Sequence, residues 1–158
     1  HTVRGRFETV PNNHGYMVVV DYAHTPDGLE NILSSVRILA KKKVIAVFGC
    51  GGDRDRTKRP IMGEIAGKLS DYAVITSDNP RTEDPDKIVL DIEEGIKRTN
   101  CPYKIIVDRR EGIHAALEMA EKDDIIVIAG KGHETYQIFK NETIHFDDVE
   151  VVKEFLEK

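Results

Sequence analysis

"KVIAVFGCGGDRDRTKRPIMGEIAGKLSDYAVITSD", residues 43–78, reads as an apolar run, a glycine turn, a helix and a second apolar run. "KVIAVFGC" (43–50) and "DYAVITSD" (71–78) are almost continuously hydrophobic, as strands covered on both faces must be, and the crossover between them has room for one helix. Working outward, the unit repeats. "KIIVD" (104–108) and "DDIIVIAG" (123–130) are further strands of the same kind. "PDGLENILSSVRILAK" (26–41) places Leu29, Ile32, Leu33, Val36 and Leu39 on one stripe, the spacing of an amphipathic helix. "RPIMGEIAGKLS" (59–70), "DPDKIVLDIEEGIKR" (84–98) and "RREGIHAALEMAEK" (109–122) repeat that spacing, with Pro60 and Pro85 suited to first turns. Asp27 is a candidate cap for the first helix. Alternation of this kind predicts an α/β, Rossmann-like, three-layer fold: a mainly parallel sheet of about six strands with helices on both faces.

The two ends differ. "RFETVPNNHGYMVVVDYAH" (6–24) and "YQIFKNETIHF" (136–146) each place turn residues between β-rich runs and predict hairpins. "DDVEVVKEFLEK" (147–158) then predicts a closing helix capped by Asp147. The whole chain, 1–158, reads as one domain, of a length that can bury a core without disulfides or metal.

Composition narrows the function. Lys and Arg number 23 against 28 Asp and Glu, a net charge of −5, which speaks against nucleic acid as a partner. Cys50 and Cys101 lack metal-ligand spacing, so no metal site is expected. No apolar run reaches the roughly 20 residues of a membrane helix, and no signal-peptide pattern opens the chain, so the expectation is a cytoplasmic protein without membrane contact.

In a parallel sheet, ligands bind beyond the carboxyl ends of the strands. Four segments carry chemistry there: "DYAHTPD" (21–27), "GCGGDRDRTKRP" (49–60), "DNPRTEDP" (78–85) and "GKGHETYQ" (130–137). The glycines at 49, 51 and 52 match neither G-x-G-x-x-G nor a phosphate loop, and by themselves suit a tight strand-to-helix turn. The charges from Asp53 to Arg59 read as a solvated loop unless the neighbouring segments converge on them. Pro80 stiffens the backbone before Arg81, whose guanidinium fork suits a carboxylate or a phosphate. With Asn79 beside it, and Arg54 and Glu134 arriving from neighbouring strand ends, the set matches a zwitterion: arginine for its carboxylate, glutamate for its ammonium. Asp21 can accept ribose hydroxyls, and His24 can hydrogen-bond or stack on a base, although a turn ahead of Pro26 explains both equally. "GKGHE" offers Lys131, His133 and Glu134 on what reads as a glycine-rich turn with exposed polar residues.

"GRFE" (5–8), "DYAHTPD", "GCGGDRD", "KRPIMG" (58–63), "DNPRTEDP" and "AGKGHETYQ", in this order and spacing, resemble the C-terminal domain of the MurE-type Mur ligases. The resemblance runs from about residue 4 to the end; Arg4 stands where the family has proline. It implies an ADP-forming, cytoplasmic and monomeric enzyme of peptidoglycan synthesis. That enzyme uses ATP and Mg²⁺ to convert the D-glutamate carboxylate of UDP-MurNAc-L-Ala-D-Glu to an acyl phosphate, which the amine of meso-diaminopimelate attacks. It implies that Arg54, Asp78, Asn79, Pro80, Arg81, Gly130 and Glu134 hold the diaminopimelate. Arg6 would reach the ATP γ-phosphate as a catalytic group, Asp21 the ribose, and His24 the nucleotide side. The family's phosphate loop and magnesium ligands belong to a central domain and its UDP-sugar pocket to an N-terminal one. Neither is in this chain, so the domain alone is expected to be inactive. A lysine-adding ligase, and a stand-alone module sensing an amino acid or nucleotide, remain as alternatives. His1 ahead of a β-run reads as a cut within a longer chain, which disfavours the module. Folate-polyglutamate synthetases share the general architecture, but are not expected to combine "DNPR" with "GKGHE".

Overall fold

The computed structural model describes residues 3–158, so His1 lies outside the described residues. The chain runs β1 (Glu8–Thr9), β2 (Met17–Asp21), α1 (Pro26–Leu39), β3 (Val44–Phe48), α2 (Lys58–Leu69), β4 (Tyr72–Ile75) and α3 (Pro85–Ile96). It continues through β5 (Tyr103–Ile105), α4 (Arg109–Met119), β6 (Ile125–Ala129), β7 (Tyr136–Ile138), β8 (Thr143–His145) and α5 (Asp148–Leu156). One sheet has the order β1-β2-β6-β3-β4-β5, and β7 and β8 form a separate antiparallel pair. Only β1–β2 is antiparallel in the main sheet, with Glu8 opposite Val20. The N-terminal hairpin is therefore not an addition to the sheet: β2 is an inner strand, parallel to β6 from Met17↔Ile125 to Asp21↔Ala129.

Strand alternation sorts the core into two. Val19, Ala46, Phe48, Ala73, Ile75 and Val127 face α1, α2 and α3. Val18, Val20, Ile45, Val47, Val74, Ile126 and Ile128 face α4 and α5. Every residue of β3 and β6 is buried, as their unbroken apolar runs require. Edge strand β5 is shorter and half-buried. The cap of α1 is Thr25, whose hydroxyl accepts from the Gly28 N–H at 3.1 Å, rather than Asp27. Pro26 takes the first helical position, which pushes the cap one residue earlier and leaves Asp27 in the first turn. Asp147 caps α5 by accepting from Val149 and Glu150. Arg4 donates to the same Asp147, so the departure from proline has a structural use here.

Arg109, which periodicity places merely at the start of α4, is completely buried. Its Nε and Nη2 donate to Asp148 Oδ1 and Oδ2 at 2.8 and 2.9 Å. The remaining N–H groups reach the Ser77 carbonyl at 2.9 Å and the Ala129 carbonyl at 3.2 Å. One side chain thus joins α4, α5 and the carboxyl ends of β4 and β6. Arg109→Met strands the buried Asp148 carboxylate and is expected to cost about 3–5 kcal/mol in denaturant-induced unfolding. Removing both charges, as Arg109→Met/Asp148→Leu, should cost measurably less.

Candidate functional site

The carboxyl ends of β2, β3, β4 and β6 open on one edge of the sheet, and the four chemistry-bearing segments leave from there. Two of them interlock. A Cβ on Gly49 would lie 2.2 Å from the Thr76 carbonyl oxygen, and one on Gly52 would lie 1.8 Å from that of Pro80. The glycines therefore permit backbone to touch backbone, a demand that a strand-to-helix turn alone does not make. Across this contact, Gly52 N–H donates to the Asn79 carbonyl at 2.8 Å. The Arg81 guanidinium donates back to the Gly52 carbonyl at 3.0 Å. Asp53 and Arg81 both have positive φ, 56° and 54°, strained for residues with side chains. Asp53 offsets its strain by accepting the Thr82 hydroxyl at 2.6 Å and the Thr82 N–H at 3.2 Å.

Arg59 corrects the reading of residues 53–59 as a solvated charge run. Its side chain is 1% exposed. It donates to Glu83 Oε1 and Oε2 at 3.1 and 2.7 Å, to Asp91 at 3.0 Å and to the Gly51 carbonyl at 3.1 Å. These bonds hold the Glu83 carboxyl below the ordinary glutamate value.

From the other side, β7 is stitched to the same loop. Gln137 Nε2 donates to the Asp78 carbonyl at 2.7 Å, and Ile138 N–H to Asn79 Oδ1 at 3.0 Å. Arg81 N–H donates to the Ile138 carbonyl at 3.0 Å. Two donors on Asn79 Oδ1, Ile138 and the Lys131 ammonium at 3.1 Å, fix the amide's orientation and leave Nδ2 for the cavity. Lys131 is not an exposed turn residue: it is wholly buried, with Nζ 3.2 Å from Glu134 Oε1 and 3.7 Å from Asp78 Oδ1. Burial pushes the Asp78 carboxyl up, against the pull of Arg109 and Lys131.

The result is a cavity of about 260 Å³ whose lining includes Arg54, Asp78, Asn79, Arg81, Gly130 and Glu134. Six of the seven residues expected at a diaminopimelate site meet there. Pro80 does not line it; its carbonyl packs on Gly52, and its ring borders a separate hollow toward the β7–β8 turn. Cys50, Met62, Lys58 and Tyr22 also line the cavity and carried no sequence signal beyond adjacency to the motifs. Burial raises the Cys50 thiol to about 12, so it is a neutral wall and not a nucleophile. A second hollow of about 430 Å³ brings together Arg6, Asp21 and His24, and shares Tyr22, His24 and Thr25 with the first. The Asp21 carboxylate accepts the Phe7 N–H at 2.7 Å and the Ala23 N–H at 3.0 Å, so it orders the backbone that carries Arg6. The Arg6 guanidinium lies 6.0 Å from the Tyr22 ring centre. Among the described residues, no group of three or more His, Cys, Asp or Glu is arranged to hold a metal ion, and no helix is long and apolar enough to cross a membrane.

Residues 5–132 match the family described as Mur ligase, glutamate ligase domain. The chain belongs to the Mur ligase family. It is 58% identical, over 99% of its length, to a UDP-N-acetylmuramoyl-L-alanyl-D-glutamate--2,6-diaminopimelate ligase of Clostridium botulinum, and covers 32% of that protein. A solved structure of a ligase of the same name superposes with a TM-score of 0.91 at 44% identity, over 98% of this chain and 32% of that one. A bifunctional folylpolyglutamate synthase/dihydrofolate synthase of Yersinia pestis, complexed with AMPPNP and Mn, shares the fold alone, with a TM-score of 0.62 at 18% identity over 82% of this chain and 28% of that one. This Mur ligase chain thus spans about a third of the length of the relatives it matches.

Gly52→Ala must push the Pro80 carbonyl aside, and is expected to cost about 1–3 kcal/mol in thermal or chemical unfolding. Glu83→Gln should lower the melting temperature at neutral pH. Because the folded Glu83 value is depressed, its contribution is whole above the unfolded value of 4.5 and is lost as pH falls through the folded value. The difference between wild type and Glu83→Gln should therefore shrink in melting curves taken below pH 4.5.

Proposed function

We propose that this domain holds meso-diaminopimelate for an ATP-dependent, cytoplasmic ligase that joins it to UDP-N-acetylmuramoyl-L-alanyl-D-glutamate in peptidoglycan synthesis. The observation that carries the proposal is that both signs of charge meet in the 260 Å³ cavity, with Arg54, Arg81, Asp78 and Glu134 all in its lining. An amino-acid end, one carboxylate and one ammonium on a single carbon, meets both. Arginine presents a planar fork to the carboxylate, and Asn79 Nδ2 adds a neutral donor. The names of the relatives at 58% identity supply the same amino acid.

Held by that end, the diamino acid leaves its other amine free as a nucleophile, with its rotation restricted before reaction. ATP with Mg²⁺ would supply the phosphoryl group that turns the acceptor carboxylate into an acyl phosphate. In this chain the hollow beside Arg6, Asp21 and His24 fits the nucleotide side: Arg6 is a cation on a backbone ordered by Asp21, and the His24 and Tyr22 rings, tilted on each other with centres 4.6 Å apart, form part of its wall. Because Tyr22, His24 and Thr25 border both hollows, the two ligands would lie side by side. The metal and most phosphate contacts would come from parts of the ligase outside these residues, so the domain by itself binds without catalysing.

Calorimetric titration of the chain with meso-diaminopimelate and L-lysine tests the reading. Wild type should favour diaminopimelate. Arg81→Ala should weaken it by roughly ten- to a hundredfold, the worth of a charge-assisted hydrogen bond, and weaken L-lysine far less, since the far end of lysine carries no carboxylate to pair with the arginine. Equal binding of the two amino acids by wild type would point to the lysine-adding alternative.

A further inference from the structure

Lys131 has no part in the contacts proposed above, yet it is the most deeply placed charge of the glycine turn. It faces two carboxylates, an amide oxygen and the Tyr136 ring, 5.4 Å from its centre. Beneath the cavity, Lys131 and Arg109 stand against Asp78, Glu134 and Asp148. With all five groups ionised, which at Asp78 requires the neighbouring cations to offset the upward push of burial, three carboxylates against two cations leave one negative charge over. Arg109 and Asp148 close on each other through two hydrogen bonds, so the surplus resides on Asp78 and Glu134, at the cavity. Asp78 Oδ1 is buried, has no hydrogen-bond partner among the described residues and lies 3.7 Å from Lys131 Nζ, so no protein donor satisfies it apart from the pull of that ammonium.

From this geometry we infer that Lys131 is a positioning and specificity-determining residue. It holds Asn79 and Glu134 at fixed places and trims the charge of the cavity floor to one, so that the site takes a single ammonium beside its carboxylate. The inference rests on the diamino-acid reading above. Without the lysine, two unmatched carboxylates would call for a second cation or a proton. A ligand that brings a carboxylate and no ammonium would then be repelled more strongly.

The comparison of meso-diaminopimelate with pimelate isolates this effect, because the second acid keeps both carboxylates and has no amine to face the floor. Titration calorimetry on the wild-type chain should show a preference for diaminopimelate. In Lys131→Met the preference should widen by roughly tenfold, as expected for an uncompensated charge in a partly desolvated site. In Lys131→Met/Asp78→Asn, which restores the charge count, it should return to about the wild-type level. A purely structural role for Lys131 would weaken both ligands alike and would not be reversed by removing a second charge. If Lys131→Met fails to fold, Asp78→Asn alone carries the test: it leaves the floor neutral and should narrow the preference by a similar factor. An unchanged preference in folded Lys131→Met, or in Asp78→Asn, overturns the inference. A wild type with no preference for diaminopimelate overturns the reading of the cavity itself, before any variant is made.

Discussion

The fold turns on one buried cation. Arg109 sits where the carboxyl ends of β4 and β6 meet the starts of α4 and α5, and its guanidinium closes on a bidentate carboxylate and two strand-end carbonyls. Carbonyls at the end of a parallel strand face a loop instead of a neighbouring ladder, and burying them without donors is costly. By satisfying two of them, Arg109 lets the edge of the sheet carry a deep polar site without flooding it. Its charge is matched by Asp148, so the site above inherits order from this pair and little net field.

Above that foundation the site is an arrangement of backbones. The loops after β3 and β4 are in contact through glycine positions that tolerate no Cβ, and β7 adds one main-chain bond and two side-chain bonds to the second of these loops. Arg81 is therefore rigid for a reason beyond its flanking prolines: it is bonded on both sides while occupying a left-handed conformation. Arg59 clamps the same loops from beneath through Glu83 and Gly51. Three side chains of opposite purpose thus come from one short run of charges: Arg54 open to the cavity, Asp53 a loop latch and Arg59 a buried clamp.

Much of this was legible in the sequence. The unbroken apolar runs of β3, β4 and β6 and the stripe of α1 follow from local periodicity, and they placed the four motifs at one edge. The amphipathic pattern could not say which charges are buried, because Arg59 and Arg109 sit at helix starts where exposed residues are the norm and their carboxylate partners lie 24 to 39 residues away. Lys131 was misread for the same reason: its environment is built by residues 78 and 79, which no local window contains. The Asp27 cap failed on a simpler ground, since Pro26 already begins the helix. The joining of the N-terminal hairpin to the sheet through β2 needed topology, for a half-apolar run and an inner strand look alike in one dimension.

The stitching of β7 to the loop after β4 bears on the order in which the domain matures during synthesis. Asn79 and Arg81 obtain their fixing bonds from Ile138, about sixty residues downstream, and Lys131 is later than either. A chain made only through β4 and α3 holds Arg54, Asp78, Asn79 and Arg81 but lacks Gly130, Glu134 and the bonds from Lys131 and Ile138. Recognition is thus acquired only once the last strand of the main sheet and the β7–β8 pair have joined the earlier loops, and chains cut short of them carry part of the motifs without the pocket.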